Sequence, residues 1–296
     1  MMKNEDIQAT ALARLFSATV LKELAQRGQS PSAARLLRES GLEFDPTSTD
    51  WVGGLFDNAF DLLKQRVHRH EYIYKAALTQ KVLLGTHSLQ TASMITEFRV
   101  GDCKADVVIL NGTGTVYEIK SERDSLARLD RQIEEYSRVF ATVNVIVGEN
   151  HLRAVKDMLP DHVGIMVLSN RYQVSTLREA SNDAKRTEST AIFDAINQRE
   201  AALILRDAGI DIPAVPNTQR FGVLRSRFAD LPAEVAHRGM VKVLKKTRDL
   251  RPLKSLIEEM PESLYAASLT VPLRQRDHSR LIGALHTPIC EAVCWG

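Results

Sequence analysis

Asp106, Glu118 and Lys120 are charged side chains set inside apolar, β-branched or aromatic runs, Val107–Leu110 and Thr115–Tyr117. A buried carboxylate or ammonium costs several kcal/mol unless it is paired or holds a metal, so charges in such places call for a purpose. Between the runs, Asn111-Gly112-Thr113-Gly114 is a turn signal. Lys104 to Gln132 is therefore expected to form strand, tight turn, strand and helix. With a three-residue loop over 111–113, Asp106 faces Glu118 directly, their Cβ atoms about 5 Å apart. Lys120, two residues further on, shares that face, and Val107, Ile109, Tyr117 and Ile119 cover the other. Opposed like charges make a poor structural pair but a good cation site. Mg²⁺ takes oxygen ligands and keeps waters, and a neighbouring ammonium can orient a water and offset charge on a phosphoryl group. A register slip of one residue would take Asp106 off the face.

Asp106 followed, after eleven residues, by Glu118-Ile119-Lys120 resembles the PD-(D/E)XK nuclease superfamily, with Ala105 where the family's proline stands. Glu71, on an upstream helix, matches the acidic residue many members carry there. Gln132, with Tyr136 four residues on, matches the resolvase and recombination-nuclease branches. The resemblance spans about residues 55–180. It implies a restriction-endonuclease-like α/β fold, a mixed sheet flanked by helices, and hydrolysis of nucleic acid, DNA foremost, with Mg²⁺ or alternatively Mn²⁺. By the same resemblance Asp106, Glu118 and the Ile119 carbonyl would ligate the metal. Lys120 would orient the attacking water, Glu71 (Glu97 as second choice) would hold a second metal or a bridging water, and Gln132 would position the phosphate. Homodimers are common among such proteins, though nothing in this sequence asks for one. Three blander readings stand beside these. Glu71 can simply pair with Lys75 at i,i+4. The three strand charges can form a buried ion network. The fold can also serve as a non-catalytic nucleic-acid-binding or assembly module.

The elements that must position these residues follow from periodicity. Helices are expected over 7–27 and 31–40, with Ser30 capping the second, and one long helix over 55–84 after a loop at 43–51. Strands are expected over 94–100 and through Asp106 and Glu118. A helix carrying Leu126, Leu129, Ile133, Tyr136 and Phe140 then leads to a strand at 143–147, a helix at 152–158, a strand at 163–168 and an edge strand at 172–177. Strand, helix, strand within that length is a parallel crossover. Residues 181–190 read as a linker, and helices follow to the end. The expected division is an N-terminal helical segment 1–50, a nuclease-like core 51–180 and a C-terminal helical domain 185–296.

The 296 residues carry 39 Lys and Arg against 37 Asp and Glu, but residues 185–296 hold 17 basic against 13 acidic side chains. Lys242, Lys245, Lys246 and Arg248 fall in the densest basic stretch, and Arg128 adds charge near the core; these are the expected phosphate contacts. No apolar run approaches 18 residues, which excludes a membrane-spanning helix. Three cysteines without framework spacing, and no signal-peptide pattern, point to the cytoplasm.

Overall fold

The computed structural model describes residues 2–40 and 50–296. The expected loop over 43–51 lies outside the described residues except for Asp50 and Trp51.

The chain begins with α1 (Met2–Leu15), α2 (Ala18–Arg27) and α3 (Pro31–Ser40). The single helix expected over 7–27 is interrupted because Ser17 accepts the Val20 N–H and caps α2. Gly28, at φ +74°, ends α2, and Ser30 accepts the Ala33 N–H at 3.0 Å to start α3, as its sequence position suggests.

The long helix expected over 55–84 is likewise broken. It becomes α4 (Val52–Leu63), α5 (Glu71–Ala77), a π-helical stretch Leu78–Leu83 and a short α6 (Leu84–Thr86). The break accommodates Arg69, wholly buried, whose Nε donates to the Lys64 carbonyl at 2.9 Å. Periodicity of neighbouring apolar residues cannot reveal that a cation is to be buried.

There follow β1 (Ser93–Val100), β2 (Cys103–Asn111), β3 (Thr113–Lys120), α7 (Leu129–Ser137), β4 (Thr142–Val147), α8 (Leu152–Met158), β5 (Gly164–Leu168) and β6 (Val174–Arg178). The remaining helices are α9 (Ser189–Ala195), α10 (Gln198–Asp207), α11 (Asn217–Ala229), α12 (Ala233–Thr247), α13 (Lys254–Glu259), α14 (Tyr265–Thr270), α15 (His278–Leu285) and α16 (Ile289–Ala292). The six strands lie side by side in chain order. β1–β2–β3 and β5–β6 are antiparallel, and β3–β4–β5 are parallel, because α7 and α8 carry the chain back between strands. The fold is thus α/β, a mixed sheet flanked by helices. No helix among the described residues is long and apolar enough to cross a membrane.

The chain divides into two compact units, and not at the expected boundaries near 50 and 185. One holds 1–85, 170–172 and 250–296; the other holds 86–169 and 173–249. In the helical unit Phe16 stacks on Tyr72 at 4.4 Å and meets Phe56 and Phe60 edge-on. In the sheet unit one core joins Val108, Val116, Val143 and Val145 to Ile133, Tyr136 and Phe140 of the α7 segment and to Ile204, Phe228, Met240 and Leu244 of α10–α12. The expected linker over 181–190 is part of this unit. The Asp183 N–H and Arg186 Nη2 both bond the Ala141 carbonyl, at 3.0 and 2.9 Å, so its polar composition reflects hydrogen bonding to the sheet's rim.

His237 fixes α12 to the sheet. Its ring is 3% exposed, Nε2 accepts the Ala141 N–H at 3.3 Å, and it lies over Gly114, where a Cβ would sit 3.1 Å from that nitrogen. Burial lowers its pKa to about 4, against a weaker opposite pull from the Gly114 backbone. The unfolded chain binds a proton here below pH about 6.5 and the folded chain only below about 4. Stability is therefore expected to fall as pH drops from 6.5 to 4, by on the order of 3 kcal/mol. Replacing His237 with Gln, which keeps an acceptor, should flatten that slope in urea titrations followed by circular dichroism.

Candidate active site on the sheet

β2 and β3 pair with Val107 opposite Tyr117, Val108 opposite Val116 and Asn111 opposite Thr113. Carried one step further this register would set Asp106 opposite Glu118, but the ladder ends at Val107 and Tyr117, and the Ile119 N–H goes to the Asp106 carboxylate instead. Gly112, at φ +71°, makes the odd-length turn that produces this register, a conformation that glycine adopts without strain. Val108 and Val116 belong to the core under α7, so by strand alternation Glu118 and Lys120 point to the α7 side; Ala105 belongs to that same core, so alternation is interrupted at Asp106. Val107, Ile109, Tyr117 and Ile119 occupy the opposite face and are buried.

α7 completes the site. Leu129, Ile133 and Tyr136 form its buried stripe, and that placement turns Gln132 inward beside Tyr136, one turn apart. Lys120 Nζ donates to Glu118 Oε1 at 2.8 Å and to Gln132 Oε1 at 2.9 Å. The Gln132 amide nitrogen donates to the same Glu118 oxygen at 2.5 Å. The Tyr136 hydroxyl lies 2.9 Å from Glu118 Oε2 and 2.8 Å from the Lys104 carbonyl; its one proton serves one acceptor at a time. Glu118 is 1% exposed and Lys120 6%. Burial pushes the Glu118 carboxyl up, opposed by Lys120, Tyr136 and Gln132. Burial, and then the Glu118 charge, push the Tyr136 hydroxyl up as well.

Asp106 is half-buried, and its Oδ2 accepts the Ile119 N–H at 2.7 Å, which ties the carboxylate to the strand next door. On the other side, β1 runs with Thr96 opposite Val107 and Phe98 opposite Ala105. Glu97 therefore falls beside Asp106, and it holds a left-handed φ of 56° in mid-strand. A side chain in that region costs about 1–2 kcal/mol. A Glu97 carboxylate oxygen lies within 4.8 Å of one from Asp106, while Glu97 also pairs with Lys104 at 2.9 Å.

Glu71 belongs to the helical unit, where it opens α5 and pairs with Lys75 at 2.5 Å, the i,i+4 contact its spacing allows. Within the sheet unit, Glu97 is the carboxylate that accompanies Asp106. Tyr136 is a further site member; its signal in the sequence is the four-residue step from Gln132.

The donor set suits a hard divalent cation: Asp106 and Glu97 offer carboxylate oxygens near one another, and Glu118 retains acceptor capacity on Oε2 beyond one hydroxyl. Neighbouring carboxylates can hold such a cation, and an ammonium with an amide can carry a phosphate or orient a water.

The basic stretch of α12 is employed differently from expectation. Arg248 pairs with the buried Glu200 of α10, Lys242 bonds Asp207 at 2.7 Å and Lys245 donates to the Thr91 carbonyl at 2.7 Å. Lys246 is exposed on α12, and Arg128 is exposed at the start of α7, in the loop that follows Lys120. Arg248→Ala is expected to lower stability by about 2–3 kcal/mol, because it leaves the buried Glu200 carboxylate without its counter-charge, held only by the Asn197 N–H and the Thr247 hydroxyl. Arg128→Ala should leave stability within about 0.5 kcal/mol and, where nucleic acid binds, reduce the salt slope of binding by about one. Urea denaturation and salt-titrated binding separate the two.

Among known proteins, the family described as bacteriophage P4 protein cII matches residues 64–260. Protein cII of Enterobacteria phage P4 is 30% identical over 98 residues, 32% of this chain and 33% of that protein, so the match spans about a third of the relative's length. A solved structure, SPO1766, a protein of unknown function from Silicibacter pomeroyi, shows 18% identity and a TM-score of 0.30, covering 49% of this chain and 94% of that one. With residues 64–260 of its 296 matched, the chain belongs to the bacteriophage P4 protein cII family.

Proposed function

We propose that the sheet unit is a metal-dependent nuclease that hydrolyses phosphodiester bonds of DNA. The observation that carries this reading is the convergence of Glu118, Lys120 and Gln132 beneath α7, with Asp106 tied to the Ile119 N–H of the same strand and Glu97 beside it. Asp106 and Glu118, with the Ile119 carbonyl as the resemblance suggests and Glu97 beside Asp106, would hold Mg²⁺ or Mn²⁺. A cation bound there neutralises charge on the scissile phosphate and acidifies a water. Lys120 keeps a third N–H direction beyond its bonds to Glu118 and Gln132, and that N–H can orient the attacking water or meet a phosphate oxygen. Gln132 fixes the ammonium from behind. Arg128, exposed beyond the strand end, can contact the phosphate backbone.

A second reading draws on one observation: Glu118 and Lys120 satisfy one another in the interior together with Gln132 and Tyr136. An ion network of that kind can belong to a non-catalytic nucleic-acid-binding or assembly module. Labelled single-stranded, duplex and branched DNA, and RNA, incubated with Mg²⁺, Mn²⁺ or EDTA distinguishes the two. The nuclease reading expects cleavage with metal and none with EDTA; intact substrate under every metal would defeat it.

A further inference from the structure

α10 and α12 pack against each other in the sheet unit, and each shows solvent a face unlike the one it buries. On α10, Ala201, Ile204 and Leu205 enter the core, which leaves Arg199, Leu203 and Arg206, spaced by four and three residues, on the opposite face. On α12, Met240, Val241 and Leu244 are buried. Arg238, Lys242 and Lys246, each about 6 Å of helix rise from the next, run along its outside. The helices approach closely where Gly239 lacks a side chain: a Cβ there would stand 2.6 Å from Cγ2 of Ile204. Lys242 Nζ reaches across to Asp207 Oδ2 at 2.7 Å. That bond, with Lys246 adding its charge, holds the Asp207 carboxyl below its ordinary range. Arg199, Arg206 and Arg238 are exposed and make no ion pair among the described residues. The other acids of the two helices are engaged elsewhere, Glu200 buried against Arg248 and Glu234 facing Lys185 at 4.0 Å. Five cations therefore share one surface with one carboxylate.

We propose that this face of α10 and α12 binds the sugar–phosphate backbone of double-stranded DNA without reading its sequence. A duplex carries about one negative charge per 1.7 Å of its axis, and cations that neutralise phosphates release its bound counterions. Two rows of cations, on helices whose axes lie about 8–10 Å apart when packed, present a field of matching sign over a matching breadth. Guanidiniums meet phosphate oxygens with paired N–H donors. The Lys242–Asp207 pair is exposed on both sides and so is weak, which lets the ammonium exchange its carboxylate for a phosphate. A single strand is held by bases stacked on aromatic rings, and neither α10 nor α12 carries Phe, Tyr or Trp. RNA duplexes are recognised through 2′-hydroxyls as well as phosphates, and the five cations and Leu203 offer those hydroxyls no acceptor. Holding a duplex needs no cleavage, so the inference stands under either reading of the cluster beneath α7.

Fluorescence anisotropy of a labelled DNA duplex with the full chain, in EDTA and across a range of NaCl concentrations, tests this apart from any cleavage. The logarithm of the binding constant is expected to fall against the logarithm of salt with a slope of about −4.5, the value for five phosphate contacts. Replacing Arg199, Arg206 and Arg238 together with Ala should flatten that slope by about three and weaken binding about tenfold or more at low salt, with circular dichroism unchanged. Lys at the same three positions should keep the slope. Asp207→Asn should tighten binding, because it removes the one carboxylate on the face and releases Lys242; a purely structural role for these residues would give no such gain. The inference is overturned by absence of binding at low salt, or by a single strand or an RNA duplex binding more tightly than the DNA duplex. A triple-alanine protein with the wild-type slope, or an Asp207→Asn protein that binds no tighter, overturns it as well.

Discussion

Under the proposed nuclease reading, Asp106→Asn and Glu118→Gln are each expected to reduce Mg²⁺-dependent cleavage of labelled DNA by about 10³-fold, the scale on which removing one preorganised electrostatic contact acts. Binding of the same DNA should stay within about threefold. The two positions contribute differently. Asp106 is half-buried and tied to the Ile119 N–H, so Asn there keeps the size and removes the charge that a cation needs. Glu118 is buried and carries Lys120 and Gln132 on one oxygen, so Gln there also frees Lys120 from its counter-charge. If the carboxylates hold a cation, Mg²⁺ should raise the wild-type melting temperature by mass action, about 2.7 kcal/mol at a hundredfold excess over Kd, and should fail to do so in the Asp106→Asn protein. A wild-type protein that neither cuts DNA nor gains stability from Mg²⁺ defeats the nuclease reading and leaves the ion network, with or without a nucleic-acid-binding role.

The core of this site is written locally in the chain, which is why it can be read there. Strand period, an odd loop around Gly112 and a four-residue helical step set Glu118, Lys120, Gln132 and Tyr136 within hydrogen-bond reach of one another. What escaped sequence reasoning depends on distant partners. Arg248 looks like one of several exposed cations until α10 brings Glu200 beneath it. The 181–190 segment reads as a polar linker until Ala141 accepts its hydrogen bonds. The helix over 55–84 breaks around a buried Arg69 that periodicity would place on a surface. The units fail to follow chain order because the last helices pack with the first ones. Glu97 shows the remaining gap. Alternation in β1 puts it on the strand as an ordinary outward acid, and only the left-handed φ beside Asp106 marks it as unusual.

Lys120→Met should produce the largest loss of stability at this site, about 3–5 kcal/mol, because it leaves the Glu118 carboxylate buried with only an amide and a hydroxyl. Glu118→Gln should cost less, since the Lys120 ammonium is 6% exposed and keeps the Gln132 oxygen. The double replacement should recover much of the loss, with a coupling of about 1–3 kcal/mol between the two positions. An apolar side chain facing a neutral amide strands no charge. The probe must report on the right unit: both tryptophans, Trp51 and Trp295, belong to the helical one. Hydrogen exchange at β3 amides, or far-ultraviolet circular dichroism in urea, follows the sheet instead. If Lys120→Met is as stable as the wild type and the double variant is no better than the sum of the singles, then Glu118 and Lys120 do not share a buried bond. In that case the ammonium is free to face solvent and substrate, and the hydrogen-bonded cluster beneath α7 cannot be what orients it.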